Sequence, residues 1–263
     1  MDDALVARAR AGDRTAMEDL LTSIAPSIRR FAGRMCRNDA DADDVLQDAL
    51  LSIATHLDGF QGRSSLPSWA FTIARTACSR RRRGKKNAPA EGEAALVAQG
   101  ADQPDPEEQT ASHETGAIVA RALDGLPDDY REVLLLRDAE GLTAPEAALA
   151  LGVTVDALKS RLHRARAALR DALGQVLEMG MPPASPACPD VVRALSRKLE
   201  DDLDATACAE MEKHVQGCTS CASTCDAMKD ALRACRSSPS AELTPEVRER
   251  IRTTITRWVR SRV

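Results

Sequence analysis

The spacing of apolar residues constrains the fold of this chain most. Near the start they recur every three or four residues, as in Leu20, Leu21, Ile24, Ile28 and Phe31. That repeat places them on one face of an α-helix, whereas a half-buried strand would alternate strictly. Aromatic residues make up only 2% of the chain, which suits helices packed through aliphatic side chains. The sequence therefore predicts an all-α protein.

Two interruptions of this pattern predict domain boundaries. Residues 84–113 and 179–186 mix glycine, proline and small or acidic residues without sustained periodicity. We therefore expect units at 1–83, 114–178 and 187–237, followed by an amphipathic helical tail at 238–263.

The sequence has no 18-residue apolar run, and its acidic opening is unlike a signal peptide. We expect a cytoplasmic protein that does not bind membranes.

The net charge of -4 conceals a segregation of sign along the chain. Residues 80–86 read RRRRGKK, and residues 157–170 contain five basic residues and no acidic one. Blocks of positive charge of this kind are typical of surfaces that bind nucleic acid, although a charge run is often only a solvated face.

Six of the eight cysteines fall between residues 188 and 235. Cys188, His214, Cys218 and Cys221 follow the pattern C-x25-H-x3-C-x2-C, which offers the three thiolates and one imidazole that tetrahedral Zn²⁺ favours. The alternative is that these cysteines are small buried apolar residues. The remaining cysteines of this segment suggest a second metal site or a redox pair: Cys208, Cys225 and Cys235. Soft thiolates suit Cu⁺ and Cd²⁺ as well as Zn²⁺, so spacing alone does not choose the metal, and copper, as Cu⁺ or Cu²⁺, or Cd²⁺ is a candidate regulatory metal.

The segment DADDVLQDALLSIATHLDGFQGRSSLPSWAFTIARTACSRRRR, which begins at Asp41, resembles region 2 of ECF sigma factors. The resemblance implies that an acidic helix binds the clamp helices of the largest RNA polymerase subunit through Asp41, Asp43, Asp44, Val45, Gln47 and Asp48. It also implies a promoter-opening loop at Phe60, Gln61, Arg63 and Ser64, with phosphate contacts from Arg75, Arg80, Arg81, Arg82 and Arg83. Trp69 is expected in the core or as a stacking platform.

The segment LPDDYREVLLLRDAEGLTAPEAALALGVTVDALKSRLHRARAALRDAL resembles sigma region 4, whose helix-turn-helix reads the upstream promoter element. Helical spacing puts Leu158, Leu162, Ala165 and Leu169 on one buried stripe. The opposite face and the flanks then supply the candidate DNA contacts, which are Lys159, Ser160, Arg161, His163, Arg164 and Arg166. A merely solvated charged helix is the alternative.

The cysteine-rich segment resembles the zinc-binding anti-sigma domain, and the whole chain resembles CorE-type sigma factors, in which such a domain is fused to the sigma factor. The resemblance implies a sigma factor that directs core RNA polymerase to promoter DNA, through the clamp helices and the flap, under metal control. A separate anti-sigma protein is not required but is not excluded. Alternatives are a purely structural zinc domain, thiol-redox control or, in another class, a metal-buffering or redox protein. We find no nucleophile-base or phosphate-loop motif and expect no enzymatic activity.

Overall fold

A computed structural model describes residues 3–36, 38–62, 64–86, 117–176, 188–237 and 245–260. The protein is all-α, as predicted, and the residues in these ranges form helices and turns without a strand. The chain divides into two compact units, one of Met1–Ala101 with Pro239–Val263 and one of Asp102–Ser238. None of the described helices is long and apolar enough to cross a membrane.

The first unit is a helical bundle. Its helices are α1 (Asp3–Arg10), α2 (Arg14–Met35), α3 (Asp39–His56) and α4 (Leu66–Lys86), with a short 3-10 turn at Leu57–Gly59. Side chains fix two helix starts, because Asp13 accepts a hydrogen bond from the amide of Ala16 and Asn38 accepts one from that of Asp41. The predicted apolar face of α2 is buried, and Phe31 meets Phe71 edge-on with ring centroids 5.6 Å apart.

The C-terminal tail belongs to this first unit. Helix α12 (Pro245–Arg260) packs on α2 and α3 and buries Ile251, Ile255 and Trp258. Val259, which follows Trp258, is 38% exposed and lies at the edge of the buried face. The tail is therefore part of the bundle that contains α3.

The second unit begins with α5, whose described part is 117–124. It continues with α6 (Asp128–Leu134), a π-helical turn (Leu135–Ala139), α7 (Ala144–Leu151) and α8 (Val155–Val176). Thr143 and Glu146 form a reciprocal capping box at the start of α7, and Gly152 ends that helix at φ 68°. The Thr154 hydroxyl accepts a hydrogen bond from the amide of Ala157 and so caps the start of α8. This is the predicted helix-turn-helix.

The cysteine-rich part of the second unit contains α9 (Val191–Leu199), α10 (Ala205–Gly217) and α11 (Thr219–Ser237). Its apolar core joins α9 to α11 through Val191, Val192, Leu195, Cys221, Cys225, Met228 and Leu232. Ala167 of α8 packs against the same core, so the cysteine-rich helices and the helix-turn-helix share apolar contacts.

Candidate metal centre and nucleic-acid interface

The four predicted metal ligands meet at one point of the second unit. The ligand atoms of Cys188, His214, Cys218 and Cys221 all lie within 4.8 Å of one another. Cys188 precedes α9, His214 is in the last turn of α10, and the two other cysteines flank the start of α11. The site therefore joins the ends of all three cysteine-rich helices.

The distances in this group fit a tetrahedral zinc ion. The Sγ atoms of Cys188 and Cys218 are 3.9 Å apart, and His214 Nε2 is 3.3 Å from Cys221 Sγ. Zinc–sulfur bonds of about 2.3 Å would separate two sulfurs by about 3.8 Å in a tetrahedron. One Cys-x2-Cys pair, one distant cysteine and one imidazole are also a common donor set for structural zinc. These residues would hold zinc.

The pKa values of the thiols among the four metal ligands also favour a bound cation. The amide of Cys221 donates to Cys218 and lowers the pKa of that thiol, whereas burial raises the pKa of Cys221 to about 12, with the neighbouring sulfurs of Cys188 and Cys218 adding to the effect. Three thiolates at this spacing would repel one another in a partly buried site. A divalent cation would remove that penalty, because it stabilises the deprotonated ligands.

The remaining cysteines of this segment lie in three different surroundings. Cys208 lies on α10 and contacts Glu212, Cys225 belongs to the apolar core, and Cys235 is buried. Burial raises the pKa of Cys225, which makes it a poor thiolate ligand. In the described parts of the chain, only the four residues named above form a group of three or more metal-type ligands. The second metal site or redox pair therefore stays a prediction.

The candidate recognition helix, α8, has the predicted buried stripe. Leu158, Leu162, Ala165 and Leu169 are all fully buried. On the other side Ser160 and Arg164 are exposed, and Arg161 is half-buried, with a loose 3.9 Å contact to Asp129. Exposed hydrogen-bonding groups near the start of such a helix are placed to meet base edges.

Arg166 differs from the prediction that it contacts phosphate. It is 1% exposed, and it binds Asp138 through two nitrogens at 3.0 and 2.6 Å. The same guanidinium donates to Ser196 Oγ at 2.8 Å and to Glu200 Oε1 at 2.9 Å. A buried guanidinium with this many partners cannot reach DNA, because its carboxylate ligands compensate its charge inside the protein.

Two other predicted DNA contacts also face acidic residues of the cysteine-rich helices. The Lys159 ammonium lies 2.6 Å from Asp202, and His163 Nε2 lies 4.0 Å from Asp190. Burial lowers the pKa of His163, which outweighs the opposite effect of Asp190. The basic flank of α8 is therefore paired with acids that begin and follow α9.

The acidic helix α3 is partly covered within the first unit. Arg250 of α12 donates to the Asp43 carboxylate at 3.2 Å and to the Gln47 side chain at 3.4 Å. Asp48 is exposed, but Val45 is fully buried and Asp41 is 7% exposed. The prediction that Val45 and Asp41 contact a partner is therefore corrected, because both support the helix from within.

The arginine run divides between surface and internal contacts. Arg80 is exposed, Arg75 and Arg82 are half-buried, and Arg81 binds Asp44 at 2.7 Å and Asp41 at 3.4 Å. Arg83 lies in α4, but its side chain is outside the described part of the structure. Among the predicted phosphate contacts of α4 whose side chains the structure describes, Arg80 is the exposed one.

The predicted promoter-opening loop presents an aromatic pair. The Phe60 and Trp69 rings are tilted at 40° with centroids 5.3 Å apart, and both side chains are half-buried. Gln61 is exposed and Ser64 is half-buried, whereas Arg63 is outside the described residues. Trp69 therefore packs on the loop as well as on the bundle, rather than lying fully in the core.

Sequence reasoning missed the acidic residues that contact α8. Glu200, Asp202 and Asp190 were not singled out, although residues 200–204 read EDDLD and follow α9 directly. An acidic run near a basic helix is the signal that could have found them. The buried pair of Cys36 and Cys78 was also missed, because no pattern in the sequence indicates that two cysteines 42 residues apart are in contact.

Comparison with known families matches three segments of this chain. Residues 20–88 match the family described as Sigma-70 region 2, residues 117–169 match Sigma-70, region 4, and residues 188–222 match the family described as "Putative zinc-finger". The matches follow the same order as the first bundle, the helix-turn-helix and the metal centre.

Curated relatives and solved structures agree with these matches. The chain is 39% identical over 154 residues to the ECF RNA polymerase sigma factor EcfG of Rhodopseudomonas palustris, covering 58% of this chain and 81% of the relative. It is 36% identical over 176 residues to SigM of Mycobacterium tuberculosis, covering 66% and 85%. A solved structure of CnrH in complex with the cytosolic domain of CnrY is 26% identical, with a TM-score of 0.51 and coverage of 66% and 97%. The chain therefore belongs to the ECF RNA polymerase sigma factors, with a zinc-finger-like domain fused after region 4.

Proposed function

We propose that this sigma factor recognises its promoters through α8 and opens them with the region 2 loop, while metal in the fused domain controls access to these surfaces. The observation that carries the proposal is the set of ion pairs between α8 and the cysteine-rich helices. Lys159, one of the proposed DNA contacts, binds Asp202, and the buried Arg166 ties α8 to Glu200 at the end of α9. An acid that occupies a cation such as Lys159 competes directly with phosphates.

The second support comes from the first unit. Arg250 of α12 binds Asp43 and Gln47, which are two of the α3 residues that we propose for docking on the clamp helices of core polymerase. A helix that packs on α3 would have to leave before a polymerase helix of similar charge could bind the same atoms. In the second unit, α9 would thus compete with promoter DNA for α8. In the first unit, α12 would compete with core polymerase for α3.

The metal site lies where it can control the cover on α8. Cys188 comes two residues before Asp190, which caps α9, and α9 contributes Ser196 to the Arg166 network. Zinc bound by Cys188 and by the α10–α11 ligands would fix α9 in this position. We propose that the zinc-filled domain holds the covered state, and that loss of zinc or its exchange for Cu⁺ or Cd²⁺ weakens it, because an ion of different size or preferred geometry would move Cys188 and with it the start of α9.

The proposed DNA contacts are side chains that are at least partly exposed. Bases are read by Ser160, Arg161 and Arg164, and a phosphate is bound by Arg80. Unpaired bases stack on the pair of Phe60 and Trp69. Core polymerase and promoter DNA are the partners, in the cytoplasm where transcription occurs. A separate anti-sigma protein is not required, because α12 and α9 already cover the surfaces concerned.

Run-off transcription with core polymerase tests the proposal. The zinc-loaded chain is expected to be less active than the same chain after chelation, and Cys188→Ser should behave like the chelated protein. Cys208→Ser is the matched control, because Cys208 is a half-exposed cysteine outside the ligand group. Equal activity with and without zinc, or loss of activity on chelation, would contradict metal control in the proposed direction.

Two alternatives give different results in that assay. A purely structural zinc ion, favoured by the contact of Cys188 and Cys218 with the apolar core, predicts loss of folding without activation when zinc is removed. Thiol-redox control predicts activation by peroxide with release of zinc, and no graded response to Cu⁺ or Cd²⁺.

A further inference from the structure

Two cysteines outside the zinc-finger-like domain face each other inside the region 2 bundle. Cys36 ends α2 and Cys78 lies in α4, and their Sγ atoms are 3.9 Å apart. Disulfide formation requires the two Sγ atoms to approach from this distance to about 2.05 Å. Cys78 is fully buried, whereas Cys36 is 7% exposed. The two sulfurs are therefore already in contact, and Cys36 is the less buried of the pair.

The surroundings of Cys36 favour its thiolate. The hydrogen bond between the Cys36 and Cys78 sulfurs, aided by the positive charges of Arg82 and Arg81, lowers the pKa of Cys36. Burial and the nearby Asp41 carboxylate act in the opposite direction and are outweighed. Thiolates, not thiols, react with peroxides and disulfides.

We propose that Cys36 and Cys78 form a reversible disulfide site that hydrogen peroxide oxidises. The geometry supports this assignment, because the reactive sulfur and its resolving partner are already in contact. The site is separate from the metal ligands and does not depend on the proposed metal control.

The step balances with peroxide as the oxidant. The Cys36 thiolate attacks one peroxide oxygen, the O–O bond breaks, and the departing hydroxide takes a proton to become water. The sulfenic acid that results is attacked by the Cys78 sulfur, which forms the S–S bond and releases a second water. Each sulfur loses one electron, and one peroxide is reduced to two waters.

The bond would close a loop that contains the whole of α3. It would tie the end of α2 to α4 next to Arg81, which binds Asp41 and Asp44 at the start of α3. A cross-link between residues 42 positions apart restricts the unfolded chain strongly. The oxidised bundle should therefore be more stable than the reduced one.

Peptide mapping of the full-length, zinc-loaded chain tests the proposal. After mild peroxide treatment, tryptic digestion should give a linked pair of the peptides MCR and TACSR, lighter by about 2 Da than the two reduced peptides together. Dithiothreitol should separate them. Cys36→Ser and Cys78→Ser should each abolish the linked pair, whereas Cys208→Ser should leave it.

Thermal unfolding gives a second measurement that needs no variant. Both tryptophans, Trp69 and Trp258, lie in the first unit, so their fluorescence reports on the bundle that holds the pair. Oxidation should raise the unfolding midpoint by roughly 5–15 °C, and the Cys36→Ser/Cys78→Ser double variant should show no such shift. Peroxide that oxidises the zinc-ligand cysteines while MCR and TACSR stay reduced, together with an unchanged midpoint, would overturn the proposal.

Discussion

Replacement of Glu200 should release the recognition helix from its acidic cover. The Glu200 carboxylate is 3% exposed and bridges Arg166 at 2.9 Å and Arg137 at 3.0 Å. Glu200→Gln keeps the shape of the side chain but removes the charge that both guanidinium groups bind. The variant therefore isolates the electrostatic part of the contact between α9 and the helix-turn-helix.

The free-energy cost of Glu200→Gln depends on the partners that Arg166 and Arg137 keep in the variant. Breaking a buried ion pair costs about 3–5 kcal/mol when the remaining charge has no other partner. Arg166 keeps both oxygens of Asp138, and the Arg137 side chain is 20% exposed, so we expect a smaller cost. A loss of about 2 kcal/mol would increase the population of uncovered α8 by about 30-fold.

Run-off transcription from a promoter that the wild-type chain uses measures this release. Glu200→Gln should transcribe more than wild type while zinc remains bound, and amide hydrogen exchange in α9 should become faster. Glu210→Gln is the matched control, because Glu210 is exposed on α10. The reasoning would be refuted if Glu200→Gln, with its zinc content unchanged, transcribed no more than Glu210→Gln.

Three further outcomes follow from the same contacts. Arg161→Ala with Arg164→Ala should abolish promoter-specific transcription but leave core-polymerase binding measurable, and unaltered promoter use would contradict the assignment. Arg250→Glu should repel Asp43 and increase binding to core polymerase severalfold, as measured by competition with another sigma factor. Burial lowers the pKa of His163, so the unfolded state binds a proton on this residue more readily than the folded state. The stability of the second unit should therefore fall as the pH drops below 6.5. Thermal melts at a series of pH values should show a weaker dependence in His163→Gln.

Local chemistry explains which features were predictable. Thr143, Glu146 and Gly152 define the turn before α8 within ten residues, because capping and left-handed backbone are local preferences. The metal ligands were predictable for a related reason, since His-x3-Cys and Cys-x2-Cys spacings bring donors together at helix ends whatever the rest of the fold does.

Long-range pairing explains what the sequence could not show. The pattern placed Arg166 on the flank of α8, but its burial depends on Glu200, which is 34 residues away. The position of α12 depends on contacts such as Arg250 with Asp43, which are 207 residues apart. An amphipathic helix shows that it has an apolar face, but the sequence alone does not identify the surface that covers it.

The affinity for promoter DNA of the full-length chain bound to core RNA polymerase, measured with the metal site filled by zinc and again after chelation, tests the central claim most directly. The proposed cover on α8 predicts weaker binding by the zinc-filled chain, with at least a tenfold gain when zinc is removed. Equal affinity in the two states, or tighter binding with zinc, would show that the cysteine-rich domain does not control this surface in the way proposed.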